Sequence, residues 1–183
     1  AIMAKKTLLN EKEIFIILNR LACQLIENHQ DFSNTILIGI QPRGIYLANR
    51  LVKILENDYH IKNIKLGKLD ITFYRDDFRR REDPLKASST DINFIVDNKN
   101  VVFIDDVLFS GRSIRAALTA IQAFGRPKNI ELLVLIDRRF SRHLPIQPDY
   151  KGRQVDVIKD EQVKVEWKEN DPKDKVCIVS PGS

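Results

Sequence analysis

Cysteine is nearly absent from this chain: two in 183 residues, Cys23 and Cys177, far apart and in different patterns. Two isolated thiols make neither a disulfide framework nor a zinc site, and both read as reduced, buried side chains. The three histidines, His29, His60 and His143, lack metal-ligand spacing and read as surface residues. Seven glycines and seven prolines are too few for a low-complexity chain. No apolar run approaches the roughly 18 residues that a membrane-crossing helix needs. The opening Ala1-Ile2-Met3-Ala4-Lys5-Lys6 has no long apolar core of a signal peptide, and Met3 is read as the natural start. Nucleotide-binding fingerprints are missing too. There is no Gly-x-x-x-x-Gly-Lys, no Gly-x-Gly-x-x-Gly, and no internal repeat. These absences leave a cytoplasmic globular protein, expected as one domain over residues 1–183.

What is present is basic and patterned. The net charge of +5 suits an anionic ligand, whether a small phosphate or RNA. Asn10 and Glu13 make a capping box ahead of Ile14, Ile17, Leu18, Leu21 and Leu25, which predicts a helix over 10–30. Ile36 to Ile40 reads as a buried strand, Gln41 to Gly44 as a tight turn, and Ile45 to Glu56 as a second helix. A strand is predicted over 65–74, then a long charged loop over 75–90, a length usually functional in a compact domain. Further strands are predicted at 130–136, 163–167 and 176–179, with 137–153 irregular and basic. Alternating strands and helices predict an α/β fold with a mainly parallel central sheet flanked by helices. In such folds ligands sit at the carboxyl ends of the strands.

One segment concentrates the chemistry. Val101-Val102-Phe103-Ile104 reads as a buried strand, followed by Asp105-Asp106, a small-residue turn at Ser110-Gly111, and a helix opening at Ser113 and running to about Phe124. Turn N–H groups and a helix N-terminus attract an anion, and two carboxylates accept hydrogen bonds from neighbouring hydroxyls. The combination reads as a site for a phosphorylated sugar. The alternative, two acids capping a solvated strand end, fits the apolar strand and small turn less well.

This segment resembles the signature of the type I phosphoribosyltransferases and, more narrowly, of the PyrR family of pyrimidine operon regulators and uracil phosphoribosyltransferases. Gly39 to Ala48, Leu69 to Asp77, Gly125-Arg126-Pro127, Leu144-Pro145-Ile146 and Asp149-Tyr150 continue the resemblance, over roughly residues 8 to 180. It implies the type I phosphoribosyltransferase fold, with a small hood over the base site formed by roughly 137–158 and parts of the C-terminal strands. The donor would be phosphoribosyl pyrophosphate (PRPP) with Mg²⁺ bound mainly through it, and Asp105 and Asp106 nearby. Those two acids would hold the ribose hydroxyls. Arg43, with Gln41, Pro42 and Gly44, would form the pyrophosphate loop. Val107, Leu108, Phe109, Ser110, Gly111, Arg112 and Ser113 would cradle the 5′-phosphate. Asp137 and Arg138 would lie at the base. Arg75, Asp76, Arg79 and Arg80 would belong to a flexible loop closing over the donor.

Purine-using relatives commonly carry an acid where Phe109 stands, so Phe109 favours uracil, with UMP as product. The alternative is a UMP-responsive RNA-binding regulator with secondary or no catalysis. Asn19, Cys23 and Gln147 depart from the RNA-contacting pattern of the family, whereas Arg142, Lys151, Arg153 and Arg79 to Arg81 remain. Residues 139–143 are one residue longer than the family's stretch. A homodimer or tetramer, and no membrane, complete what the resemblance implies.

Overall fold

The computed structural model describes residues 4–74, 90–140, 142–158 and 160–181. The expected flexible loop, with Arg75, Asp76, Arg79 and Arg80, lies outside the described residues.

The first helix, α1 (Glu11–His29), starts as its sequence dictates. Asn10 Oδ1 accepts from the Glu13 N–H at 2.8 Å, and Glu13 Oε1 accepts from the Asn10 N–H at 3.2 Å. Both otherwise unpaired donors at the helix start are thereby satisfied. Ile14, Ile17, Leu18, Leu21 and Leu25 recur every three or four residues and are all buried.

Five strands form the central sheet: β2 (Thr35–Gln41), β3 (Lys65–Asp70), β4 (Asn100–Leu108), β5 (Asn129–Arg139) and β6 (Tyr150–Asp156). Their order is β3-β2-β4-β5-β6, and every pairing is parallel. Helix α2 (Gly44–Asn57) links β2 to β3, and α3 (Arg112–Ile121) links β4 to β5. Successive strand residues point to opposite faces. Val102 and Ile104 accordingly join the buried cluster that includes α1 and α2, whereas Val101 and Phe103 join the cluster that includes α3. Covering on both faces is why β4 begins as an unbroken apolar run rather than an alternating one.

A second, three-stranded antiparallel sheet is made from both ends of the chain, in the order β1-β8-β7: β1 (Ala4–Leu9), β8 (Lys175–Ser180) and β7 (Gln162–Glu166). Its Val165, Trp167, Val176 and Leu9 run into the core cluster of α1 and α2.

Two expectations are corrected, and one strand had no counterpart in the sequence reading. Strand β1 has no period-2 signal, because Ala4 to Thr7 are exposed, and it exists by pairing with β8. Residues 150–156, expected in the hood, form β6 at the edge of the main sheet, where Leu133 pairs Tyr150 and Ile136 pairs Arg153. Prolines 145 and 148 precede this strand instead of interrupting it. The third strand ends at Asp70, not Tyr74. Asp70 Oδ1 accepts from both the Thr72 N–H at 2.9 Å and the Thr72 hydroxyl at 2.6 Å, which turns the chain into a 3₁₀ turn over Thr72–Tyr74.

Candidate active site

From β2 the chain moves outward to β3, then returns past β2 to β4. Connections diverge between the carboxyl ends of β2 and β4, which opens a crevice there. The loop after β2 fills one wall. Its Gln41–Pro42 peptide bond is cis. Gly44 starts α2 directly against β4: a Cβ added there would lie 2.2 Å from the Ile104 carbonyl oxygen. Gly44→Ala must therefore push α2 off β4 or displace the 41–44 loop. We expect this single methyl to lower stability by about 1–3 kcal/mol and to impair donor binding. Thermal melts and a donor titration check this; a variant equal to wild type in both would mean that the close approach is unimportant.

The other wall is the end of β4. This strand does not stop at Ile104. Asp105 and Val107 pair with Val134 and Ile136 of β5, so the acidic pair sits inside the strand. Each carboxylate is fixed by the next backbone amide. Asp105 Oδ1 accepts from the Asp106 N–H, and Asp106 Oδ1 from the Val107 N–H, both at 2.8 Å. Arg43 reaches across the crevice from the β2 loop. Its Nε donates to Asp106 Oδ2 at 3.2 Å, and its Nη2 donates to the Val165 carbonyl of β7. Burial, then the neighbouring Asp106 charge, push the Asp105 carboxyl well above the usual carboxylate range, against the opposing pull of Arg43.

Two cavities flank the pair. One, of about 270 Å³, is lined by Asp105 and by the loop from Val107 to Ser113. The other, of about 640 Å³, is lined by Asp106, Arg43 and strand residues of the second sheet such as Val163 and Val165. Val107 borders both. The second sheet therefore acts as a hood over Asp106, with Lys5 of β1 at its edge. After β4 the chain turns through Gly111, whose φ of +92° suits glycine, into α3.

The sequence matches the phosphoribosyl transferase domain family over residues 4–172. It is 39% identical over 176 residues to the bifunctional protein PyrR of Enterococcus faecalis, spanning 96% of this chain and 97% of that one. It is 45% identical over 172 residues to that of Gloeothece citriformis, spanning 94% and 96%. The chain belongs to the PyrR family of phosphoribosyltransferases. Among solved structures, the hypoxanthine phosphoribosyltransferase of Trypanosoma cruzi superposes with a TM-score of 0.72 over 97% of both chains, at 15% identity. A hypoxanthine-guanine phosphoribosyltransferase of Bacillus anthracis gives 0.67 over 94% of this chain and 96% of that one, at 19% identity. These likenesses show the type I phosphoribosyltransferase fold.

Against the PyrR expectation, the structure brings together Gln41 to Gly44, Asp105, Asp106 and the loop from Val107 to Ser113 around one crevice. Arg138 joins them. Its guanidinium lies 4.2 Å over the Phe109 ring, and its Nη2 donates to the Glu161 carbonyl at 3.0 Å. Its Nε is buried with no partner among the described residues. Asp137 does not share the side of β5 that Arg138 presents to Phe109. The alternation of β5 turns it away from Arg138; it is buried, is paired with Arg142, and lines a separate surface cavity with Arg139 and Lys151. The sequence reading missed Val165 and Lys5, which reach the site through strand pairing alone; His143 is exposed, as read, and also borders the cavity of Asp105 and the Val107–Ser113 loop.

Proposed function

We propose that this PyrR-family phosphoribosyltransferase joins uracil to the phosphoribosyl group of PRPP, giving UMP and pyrophosphate. The reading is carried by the acidic pair standing between two cavities. A ribose held by its hydroxyls at Asp105 and Asp106 would extend its 5′-phosphate toward the Val107–Ser113 loop and its anomeric carbon toward Arg43 and the hood. Backbone N–H groups and the start of α3 favour the phosphate there. Ser110 and Ser113 add hydroxyls.

Charge develops as the bond from the anomeric carbon to pyrophosphate lengthens. Arg43 supplies fixed positive charge on the leaving side, and the acidic pair holds the ring as it becomes cationic. The base nitrogen attacks the opposite face, so the main tasks of the protein are positioning and electrostatic stabilisation. No group of three or more His, Cys, Asp or Glu side chains capable of holding a metal occurs among the described residues. Two adjacent carboxylates fit Mg²⁺ bound mostly through substrate oxygens and water. Bound in this way, Mg²⁺ would supply positive charge at the pyrophosphate, and Asp105 and Asp106 would be the residues to hold it.

Phe109 supports uracil as the acceptor. An aromatic ring under Arg138 offers no carboxylate to a purine ring nitrogen, and the buried Arg138 Nε is an unspent donor for a base carbonyl. A second reading, RNA binding, is supported by the surface around Arg139, Arg142 and Lys151, beside an exposed Phe140. Two of these cations are already paired, Arg139 with Asp156 and Arg142 with Asp137.

Turnover of purified protein with PRPP, Mg²⁺ and each of uracil, orotate, hypoxanthine and guanine tests the assignment. We expect turnover with uracil alone. Turnover with a purine instead would overturn the role given to Phe109. Silence with every base, together with salt-dependent binding of pyrimidine-leader RNA, would favour the regulator reading.

A further inference from the structure

Residues 142–144 are strapped onto the loop that follows β4. The backbone N–H groups of His143 and Leu144 both donate to the Ser110 carbonyl, at 2.9 and 3.1 Å. Arg142 Nη1 donates to the Phe109 carbonyl at 2.7 Å, while its other terminal nitrogen holds Asp137. This places the His143 ring on the wall of the cavity formed by Asp105 and the Val107–Ser113 loop.

The ring is oriented as well as placed. Its Nδ1 accepts from Arg112 Nε at 3.3 Å, and its centroid is 6.4 Å from that of Phe109. With Nδ1 as an acceptor, the neutral imidazole carries its proton on Nε2. Among the described residues, Nε2 has no hydrogen-bond partner. The cavity thus holds one side-chain donor whose orientation is set from its far side by an arginine of α3. The other donors of the loop are backbone amides, serine hydroxyls and the Arg112 guanidinium itself.

We propose that His143 is a further ligand of the donor's 5′-phosphate, donating from Nε2 into the phosphate cavity. The proposal rests on the phosphoribosyltransferase reading above and adds to it a residue from a segment some thirty positions after the loop. A residue acting on the 5′-phosphate but not on the pyrophosphate should separate the two ends of the donor experimentally.

The full-length protein, with Mg²⁺, is titrated calorimetrically with ribose 5-phosphate and with pyrophosphate, and PRPP kinetics are recorded. His143→Ala is expected to weaken ribose 5-phosphate and raise the KM for PRPP roughly three- to tenfold, as for one lost hydrogen bond to a charged group. Pyrophosphate affinity and kcat are expected to stay unchanged. His143→Gln, which keeps an N–H donor, is expected to recover part of the loss. Unchanged ribose 5-phosphate affinity in His143→Ala overturns the proposal. So does an equal loss for pyrophosphate or a lowered melting temperature, since either shows that His143 merely holds the loop. If the wild type binds PRPP and turns over a base, only the role of His143 is at stake. Failure of the wild type to bind PRPP would remove the transferase reading itself.

Discussion

Replacing Asp105 and Asp106 together by Asn is expected to abolish phosphoribosyl transfer while leaving the fold intact. Asn is nearly isosteric with Asp and keeps the oxygen that accepts the next backbone N–H, so the 2.8 Å bonds to Asp106 and Val107 survive. What is removed is negative charge at the site of a developing cation. Loss of preorganised electrostatic stabilisation of this kind is worth about 10²–10³-fold for one group, and the double variant should lose at least that. A variant that keeps a rate within about tenfold of wild type would remove the pair from the reaction.

The same substitution has a second, opposite signature. Burial and the adjacent Asp106 raise the Asp105 pKa in the folded protein. Between the ordinary carboxyl pKa of about 4 and that raised value, the folded state holds a proton that the unfolded chain has released. Fewer protons bound on unfolding means that stability falls as pH rises through this window. Asp105→Asn carries no such penalty. It should melt at a higher temperature than wild type at neutral pH, with the gain shrinking as pH falls through this window and vanishing below about pH 4, where the carboxyl is neutral in both states. Melting curves from acid to neutral pH check the sign; a gain that persists undiminished in acid would mean that it does not arise from ionisation.

Arg50→Ala is expected to be the most destabilising single change outside the hydrophobic core. Arg50 leaves α2 to meet the hood. It donates to both carboxylate oxygens of Asp174, one of them at 2.7 Å, and to Glu169 at 2.6 Å, while its guanidinium lies 4.7 Å over the buried ring of Trp167. The Asp174 side chain is only 8% exposed. Removing the cation leaves this acid buried and unpaired except for the Lys168 N–H, at 2.9 Å. A fully buried pair broken in this way costs about 3–5 kcal/mol. With Arg50 and Glu169 partly in water, about 2–3 kcal/mol is expected, or a fall in melting temperature of roughly 5–10 °C. Arg50→Lys should rescue little, because an ammonium can neither fork onto the carboxylate nor stack on indole. Chemical denaturation of Arg50→Ala, Asp174→Ala and the double variant gives the coupling. Additive losses would mean that the two residues do not clamp the hood.

Much of the site was legible because its parts are contiguous. Four apolar residues, two acids, a small turn and a helix start lie within 13 positions, 101–113, and each has a local cause. The capping box of Asn10 and Glu13 was legible for the same reason. The end of β4 was misjudged because two acids look like a strand terminus. Their amide-bound carboxylates and the long partner β5 let the strand continue to Leu108. The role of Asp137 was misjudged because adjacency in sequence places neighbours on opposite sides of a strand. Arg138 takes the site face and Asp137 the other. His143 is exposed, as read, but nothing within its own segment says that the Ser110 carbonyl will hold its backbone against the loop.

By itself the sequence determined the helices, the buried strands, the small-residue turn before α3 and the acidic pair, since each depends on side-chain periodicity and backbone preference over a few residues. Only the tertiary structure decided what covers that site. The hood joins Thr7 to Cys177, and the crevice joins Arg43 to Asp106 and to Val165. Such partners are chosen by pairing and burial across the whole chain, and a local pattern carries no record of which distant edge will satisfy its hydrogen bonds.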